Sequence, residues 1–195
     1  MKKLLFMAAV AVFGFTTINA QEKTTTGGFS NGDLYVSGTV GFNSTKQGNV
    51  KSNELSFLPT VGYFVSDNIA LEFSLLVGTG EDAAEDKTST FGAGLGATYF
   101  FTPSDQFSFT VGAGVSYATA KEEFNGGGEV KANAFGFAVA PGVNYFVSSC
   151  IALRASIGAL SYTSVKEDFD GAEARNDFGL NLDLSNINFG ITYKF

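Results

Sequence analysis

The 195 residues suffice for one compact domain, and the net charge of −7 makes the chain a poor partner for nucleic acid. With 24 Gly, 21 Phe and three Pro, the composition favours sheet over helix. The 195 residues contain no histidine, which excludes Ser-His-Asp catalysis and most transition-metal sites, and the single Cys150 excludes an intrachain disulfide.

Residues 1–20 have the features of a secretory signal peptide. Two lysines precede an apolar stretch and a small-residue cleavage site that ends at Ala20. The apolar stretch is too short for a membrane-spanning helix, which needs roughly 20 apolar residues. We therefore expect export, cleavage before Gln21 and a mature net charge of −9, because the signal removes two lysines and no acidic residue. The polar residues 21–32 predict a periplasmic N-terminal lead-in.

From residue 33 onward, repeated stretches show apolar residues alternating with small or polar ones, which is the period of a β-strand, and each stretch ends in a turn or a charged segment. In 53–65, for example, the odd positions from Leu55 onward are apolar and the even ones include Ser, Thr and Gly. The predicted strands are 34–44, 53–65, 69–78, 91–101, 107–117, 135–147, 151–163 and a last strand ending at Phe195. The even count predicts an all-β fold, an eight-stranded antiparallel up-and-down transmembrane β-barrel over 33–195.

The identity of the apolar face distinguishes a membrane barrel from a soluble sandwich. A soluble sheet buries its large residues against another sheet, and the face opposite the aromatic one here is too rich in Gly, Ala, Ser and Thr to form such a core. A small barrel in lipid explains both faces, because large residues then meet acyl chains and small ones fill a narrow interior.

Short and long connections alternate along the chain, as they do in membrane barrels. The short links 66–68, 103–105 and 148–150 are predicted to be periplasmic. The predicted extracellular loops are 45–53, 80–89, 120–131 and 164–177. Their net charges of +1 (with Glu54 included), −3, −1 and −3 favour solvated acidic loops, with weak divalent-cation bridging to anionic polysaccharide as the alternative.

Seven outward aromatic residues fall next to the short links, where they predict an aromatic girdle at the periplasmic interface. They are Tyr63, Tyr99, Phe101, Phe107, Tyr145, Tyr193 and Phe195.

Two segments 82 residues apart, 58–72 and 140–154, are identical at nine of fifteen positions. The repeat places Glu72 and Arg154 at equivalent inward positions, half a barrel apart. We predict a lumen ion pair between them, because either charge alone would be costly in a confined interior. The alternative is that each contacts water or Lys194.

Phe64, Phe100 and Phe146 occupy inward positions at matching heights near the periplasmic end. Three phenyl rings fill the interior of an eight-stranded barrel, so we predict that they close the lumen. No catalytic, cofactor-binding or metal-binding residue is predicted, because the acidic residues lie mostly in loops without a paired geometry.

The closing run NLDLSNINFGITYKF (181–195) resembles the terminal strand of the OmpA-like outer membrane β-barrel family, particularly its small Bacteroidetes-type forms. The resemblance implies that Tyr193 and Phe195 are the signal read by the barrel-assembly machinery. Outward residues change from even to odd positions within this run, which predicts a bulge near Ser185 or Asn186. The periplasmic peptidoglycan-binding domain of longer relatives is not present in these residues.

The sequence thus predicts a non-enzymatic protein of the Gram-negative cell outer membrane with a structural or surface-interaction role. The alternative is a narrow porin-like channel or carrier for a small solute or apolar ligand. The expected partners are outer membrane lipid, lipopolysaccharide and the assembly machinery, and the expected state is a monomer without cofactors.

Overall fold

The computed structural model describes residues 27–47, 50–82, 84–157, 159–181 and 187–195, so the predicted signal peptide lies outside it. Within these ranges, no helix is long and apolar enough to cross a membrane. The strands are β1 (Leu34–Gln47), β2 (Val50–Phe64), β3 (Ile69–Glu81), β4 (Lys87–Phe100), β5 (Phe107–Glu123), β6 (Glu129–Phe146), β7 (Ile151–Ile157), β8 (Ala159–Glu167), β9 (Arg175–Asn181) and β10 (Ile187–Lys194).

The strands form a closed antiparallel ring. Each of β1 to β6 pairs with its sequence neighbour, β7 and β8 lie one after the other along β6, and β9 and β10 pair with β8 and β7. The ring closes where β1 pairs with β10, with Tyr35 opposite Lys194. The ten strands therefore occupy eight positions, which confirms the predicted eight-stranded barrel.

Strand β4 illustrates the two faces. Its odd-numbered Phe91 and Leu95 are more than 60% exposed on the outside, whereas Gly92, Gly94 and Gly96 line the inside. A Cβ on Gly92 would lie 2.7 Å from the Ala118 Cβ, so a larger residue there would collide with the next strand. Small inward residues are thus what lets so narrow a barrel close.

The register changes by one residue within the seventh barrel position. Ser156 in β7 lies opposite Gly142, whereas Leu160 in β8 lies opposite Val139. One extra residue on the seventh position inverts the faces beyond it, because side chains alternate with a period of two. Outward residues are accordingly odd-numbered in β7 and even-numbered in β8.

The eighth position shows a similar change of face. Phe178 and Leu180 in β9 are exposed, as are Phe189 and Ile191 in β10, so the exposed positions pass from even to odd numbers. The bulge predicted near 185 or 186 itself lies outside the described residues.

The connections are shorter than the sequence predicted. Strands β3 and β4 extend to Glu81 and from Lys87, so most of the predicted loop 80–89 is paired strand. The same correction applies to 120–131, where Glu123 lies opposite Glu129, and to parts of 45–53 and 164–177. Charged residues can continue an antiparallel ladder in water because the backbone forms its hydrogen bonds. We call this end of the barrel the loop end and the end with the links 65–68, 101–106 and 147–150 the turn end.

Candidate functional site

Glu72 and Arg154 meet inside the barrel. Glu72 on β3 lies between Gly62 and Gly96 of the neighbouring strands, which leave space for its side chain. Arg154 on β7 donates from Nη1 to Glu72 Oε1 at 2.7 Å, and the two side chains are only 19% and 18% exposed. Lys194, the alternative partner, contacts other groups near the turn end.

Tyr35 and Thr98 complete this inward cluster, and the sequence reasoning missed both. The Tyr35 hydroxyl donates to Glu72 Oε1, and Thr98 Oγ1 donates to Glu72 Oε2 at 2.9 Å. The Arg154 guanidinium carbon lies 5.6 Å from the ring centroids of Tyr35 and Phe100, within cation–π range. Because donors occupy both carboxylate oxygens, the cluster fits a structural ion pair better than a general acid or base.

Five aromatic rings close the turn end of the lumen. Phe64, Phe100 and Phe146 are at most 1% exposed, and the structure adds Phe29 and Tyr35 to them. The Phe29 centroid lies 4.7 Å from Phe64, 4.9 Å from Phe146, 5.2 Å from Tyr35 and 5.4 Å from Phe100. Phe29 is therefore the centre of the aromatic cluster.

Backbone and lysine contacts hold the segment that carries Phe29, which we call the N-terminal cap (residues 27–33). The Phe29 N–H donates to Pro103 O at 2.7 Å, and the Gly32 N–H donates to Phe64 O at 2.9 Å. Lys194 Nζ donates to Gly28 O at 2.6 Å and lies 3.3 Å from Asp33 Oδ2. The cap thus contacts the second, fourth and last strands or their turns.

Above the aromatic rings, the lumen widens into a cavity of about 480 Å³. Glu72 and Arg154 form part of its floor, and Ser, Thr, Gly and Ala supply most of its wall. Leu58 is one of the few large apolar residues that line it. The cavity can hold a small polar molecule, but it ends at the aromatic rings.

The predicted girdle residues face outward around the turn end. Six of the seven are between 42% and 56% exposed, and Tyr193 is intermediate. Three pairs stack edge to face two residues apart on one strand or its end, namely Tyr99–Phe101, Phe107–Phe109 and Tyr193–Phe195.

A second band of outward aromatic side chains, on β4, β5, β6, β8 and β9, lies toward the loop end, and the sequence analysis did not identify it. Its members are Phe91, Tyr117, Phe135, Tyr162 and Phe178. Aliphatic residues such as Leu95 and Val115 are exposed between this band and the girdle at the turn end. Two bands of outward aromatic residues that flank an aliphatic belt are typical of a membrane-spanning barrel.

No group of three acidic or cysteine side chains able to hold a metal ion occurs in the part of the chain that the structure describes. The carboxylate of Asp82 is bonded locally, since its Oδ1 accepts from the N–H groups of Ala84 and Asp86, as in a turn.

Comparison with known proteins agrees with this architecture. The N-terminal β-barrel domain of Pseudomonas aeruginosa OprF is 15% identical, with a TM-score of 0.52 over 86% of this chain and 100% of that one. Neisserial surface protein A is 18% identical, with a TM-score of 0.51 over 83% and 97% of the two chains. P. aeruginosa OprG is 15% identical, with a TM-score of 0.52 over 88% and 99%. These identities show a shared fold.

No curated protein sequence matches the chain significantly. The family model described as "Outer membrane protein beta-barrel domain" matches residues 8–195. The match covers every described strand, and the apolar belt, small-residue lumen and closed ring are those of such a barrel. The chain therefore belongs to the outer membrane protein beta-barrel domain family, which indicates the outer membrane as its location.

Proposed function

We propose that this protein is a non-enzymatic barrel with a closed lumen, and that its role is structural or lies in contacts at the cell surface. The observation that carries the proposal is the aromatic cluster at the turn end, where Phe29 packs against Phe64, Phe100 and Phe146 with at most 1% exposure for any ring. A lumen blocked by packed rings cannot conduct water or ions as a wide porin does.

The ion pair supports a structural role for the interior. Glu72 accepts from Arg154, Tyr35 and Thr98, which occupy three of the roughly four lone-pair sites of its carboxylate. A general base needs a free lone pair within reach of a substrate proton. The interior therefore favours stability over catalysis.

Export and assembly follow from the two ends of the chain. The signal peptide directs the chain across the inner membrane, and the barrel-assembly machinery reads Tyr193 and Phe195 on the last strand. The turn end, with the aromatic girdle and the cap, then faces the periplasm, and the loop end faces outward. The barrel functions as a monomer in outer membrane lipid and lipopolysaccharide.

Surface contacts would use the loop end, where two connections bond to each other. The Asn125 N–H donates to Asp86 Oδ1 at 2.8 Å, and Asn125 Nδ2 lies 3.4 Å from Glu85 Oε2. These bonds hold acidic groups of the segment 82–86 against the segment 124–128. A cationic partner fits this surface by charge.

Planar-bilayer recording of the purified full barrel tests the closed lumen. We expect no stable conductance from the native protein, because the rings leave no aqueous path. A Phe101→Ala variant, which shortens an outward aromatic side chain, serves as the matched control and stays silent. A stable, large conductance from the native protein would overturn the proposal.

The second candidate, a carrier for a small solute, is favoured by the cavity of about 480 Å³ above the ion pair. Its hydroxyl-rich wall suits a small polar solute. Liposome-swelling assays with sugars of increasing size distinguish the two functions, because a carrier admits the smallest sugars and a closed barrel admits none.

A further inference from the structure

Four of the ten lysines of this chain lie in one sector of the barrel. All four lysines between residues 52 and 193 lie at the loop end of adjacent barrel strands. They are Lys87 on β4, Lys121 on β5, Lys131 on β6 and Lys166 on β8. Side chains alternate between the two faces along a strand, so residues separated by an even number of positions share a face. Each lysine lies an even number of positions from an exposed apolar residue of its own strand, such as Phe91 on β4 and Tyr162 on β8, and therefore faces outward.

The register sets their height above the lipid-facing belt. Tyr117 and Phe135, the outer aromatic pair of β5 and β6, lie opposite each other, and Lys121 lies opposite Lys131 four residues farther out. At roughly 3.3 Å per residue and a tilt of about 40°, this spacing is roughly 10 Å. Lys166 lies two residues lower, beside Asn133. These heights correspond to the headgroup region, and lysine stems reach several ångströms toward it.

Lys121 and Lys131 are like charges in directly opposed strand positions, an arrangement that is destabilising unless an anion lies nearby. Two glutamates on the loop side supply part of the negative charge that this pair of lysines needs. Lys121 Nζ lies 2.8 Å from Glu123 Oε1 and 2.6 Å from Glu129 Oε2, and Lys131 Nζ lies 3.3 Å from Glu129 Oε1.

The membrane side of the same lysines carries neutral neighbours. Below Lys121 and Lys131 the next outward residues are Thr119 and Asn133, which lie opposite each other. The acidic groups bonded to the lysines belong to the row above. The row of lysines thus lies on the lipid side of the row of glutamates.

We propose that Lys121, Lys131 and Lys166, the lysine patch, dock the phosphate groups of a phosphorylated lipid in the outer leaflet. Charge complementarity and continuity with the lipid-facing belt favour this occupant, because a lipid headgroup is the anion that a membrane brings to this height. A chain of net negative charge also needs local cations to contact an anionic leaflet. The inference rests on the proposed orientation, with the loop end outward.

Lipid titration of the full barrel in neutral detergent micelles tests the patch, with native mass spectrometry as the readout. The probes are bisphosphorylated lipid A and the same lipid after dephosphorylation. We expect the native protein to prefer the phosphorylated form. Each lysine is worth roughly five-fold in affinity, so Lys121→Gln, Lys131→Gln and Lys166→Gln together reduce binding roughly a hundred-fold and abolish the preference.

Two further variants keep the test decisive. Arg175→Gln removes an exposed positive charge from β9, outside the patch, and should leave binding unchanged. Glu129→Gln removes the competing carboxylate and should strengthen binding of the phosphorylated lipid, which a folding defect cannot do. Equal binding of both lipids, or an unchanged affinity in the triple variant, would overturn the proposal.

Inorganic phosphate serves as the competitor that separates the two sources of the anion. If inorganic phosphate displaces the lipid at equimolar concentration, the patch binds the free ion as well as the headgroup and the lipid assignment is wrong. If the lipid stays bound, its headgroup is the ligand. Both results are independent of bilayer conductance, so the patch and the closed lumen succeed or fail separately.

Discussion

At the scale of single residues, Gly62 decides where Tyr35 can lie. The two residues are opposite each other on β1 and β2, and a Cβ built on Gly62 would lie 2.0 Å from Tyr35 Cζ. The Tyr35 ring occupies the space that a side chain at position 62 would fill. From there the ring contacts Phe29 and its hydroxyl reaches Glu72, so one glycine supports both the aromatic cluster and the ion pair.

The Gly62→Ala substitution should therefore destabilise the barrel. The added methyl group forces the Tyr35 ring out of its place, and overpacking of this kind costs about 1–3 kcal/mol. Urea unfolding of the barrel in lipid vesicles measures the free energy of unfolding. Gly179→Ala is the matched control, because a Cβ there meets no atom within 4 Å, and its effect should stay within about 0.5 kcal/mol.

The Glu72–Arg154 pair makes a second residue-scale prediction. Arg154→Met leaves the Glu72 carboxylate without its cation in a shielded interior, which should cost about 3–5 kcal/mol. The double variant Glu72→Gln, Arg154→Met should be more stable than Arg154→Met alone, because it removes both charges. The same unfolding measurement applies to each variant.

Arg175 offers the control for this cycle. It pairs with Asp177 at 2.9 Å, but both side chains are more than half exposed. Arg175→Met should change stability by less than about 1 kcal/mol, since exposed pairs contribute little. If Arg154→Met were equally mild, the inner pair would add nothing to the fold.

At the scale of elements, the N-terminal cap behaves as a ninth component of the barrel. It belongs to no strand, yet it bonds to Pro103 in a central turn and through Gly28 to Lys194 in the last strand. These partners come together only in the closed ring. The cap therefore has its full set of contacts only in the closed ring, where it links the last strand to the middle of the sheet.

Shortening Phe29 tests the contribution of the cap. Phe29→Ala removes the ring at the centre of the aromatic cluster, and such core truncations cost about 3–5 kcal/mol. Phe101→Ala, at an outward position of the same barrel end, should cost clearly less. Free energies of unfolding in vesicles compare the two, and equal losses would mean that the cap does not stabilise the barrel.

Strand positions followed from the sequence because a period of two assigns each residue to a face. The same parity also indicates Tyr35, since exposed Leu34 and Val40 on β1 place odd positions inward. Phe29 could not be identified in this way, because it stands alone in a polar segment without a period. Strand ends near Glu81 and Glu123 were misassigned because charge suggests a loop, whereas backbone pairing decides the strand.

At the scale of the whole molecule, the two outward bands of aromatic residues, one near each end of the barrel, define the thickness of the lipid-facing belt. On β5 the belt runs from Phe107 at the turn end to Tyr117 at the loop end, and both are exposed. Ten steps of roughly 3.3 Å at a tilt of about 40° span roughly 25 Å. That height matches the apolar band of known outer membrane barrels.

Stability should accordingly depend on the thickness of the bilayer. Refolding into phosphatidylcholine vesicles of increasing chain length should give the highest free energy of unfolding where the hydrocarbon layer is roughly 25 Å thick. Thicker bilayers draw Tyr117 and the girdle at the turn end into hydrocarbon, at a cost of fractions of a kcal/mol per ångström. A Tyr117→Ala variant should lose part of this dependence, because an interfacial anchor is gone. Stability that rises steadily to the thickest bilayers would contradict the assigned belt.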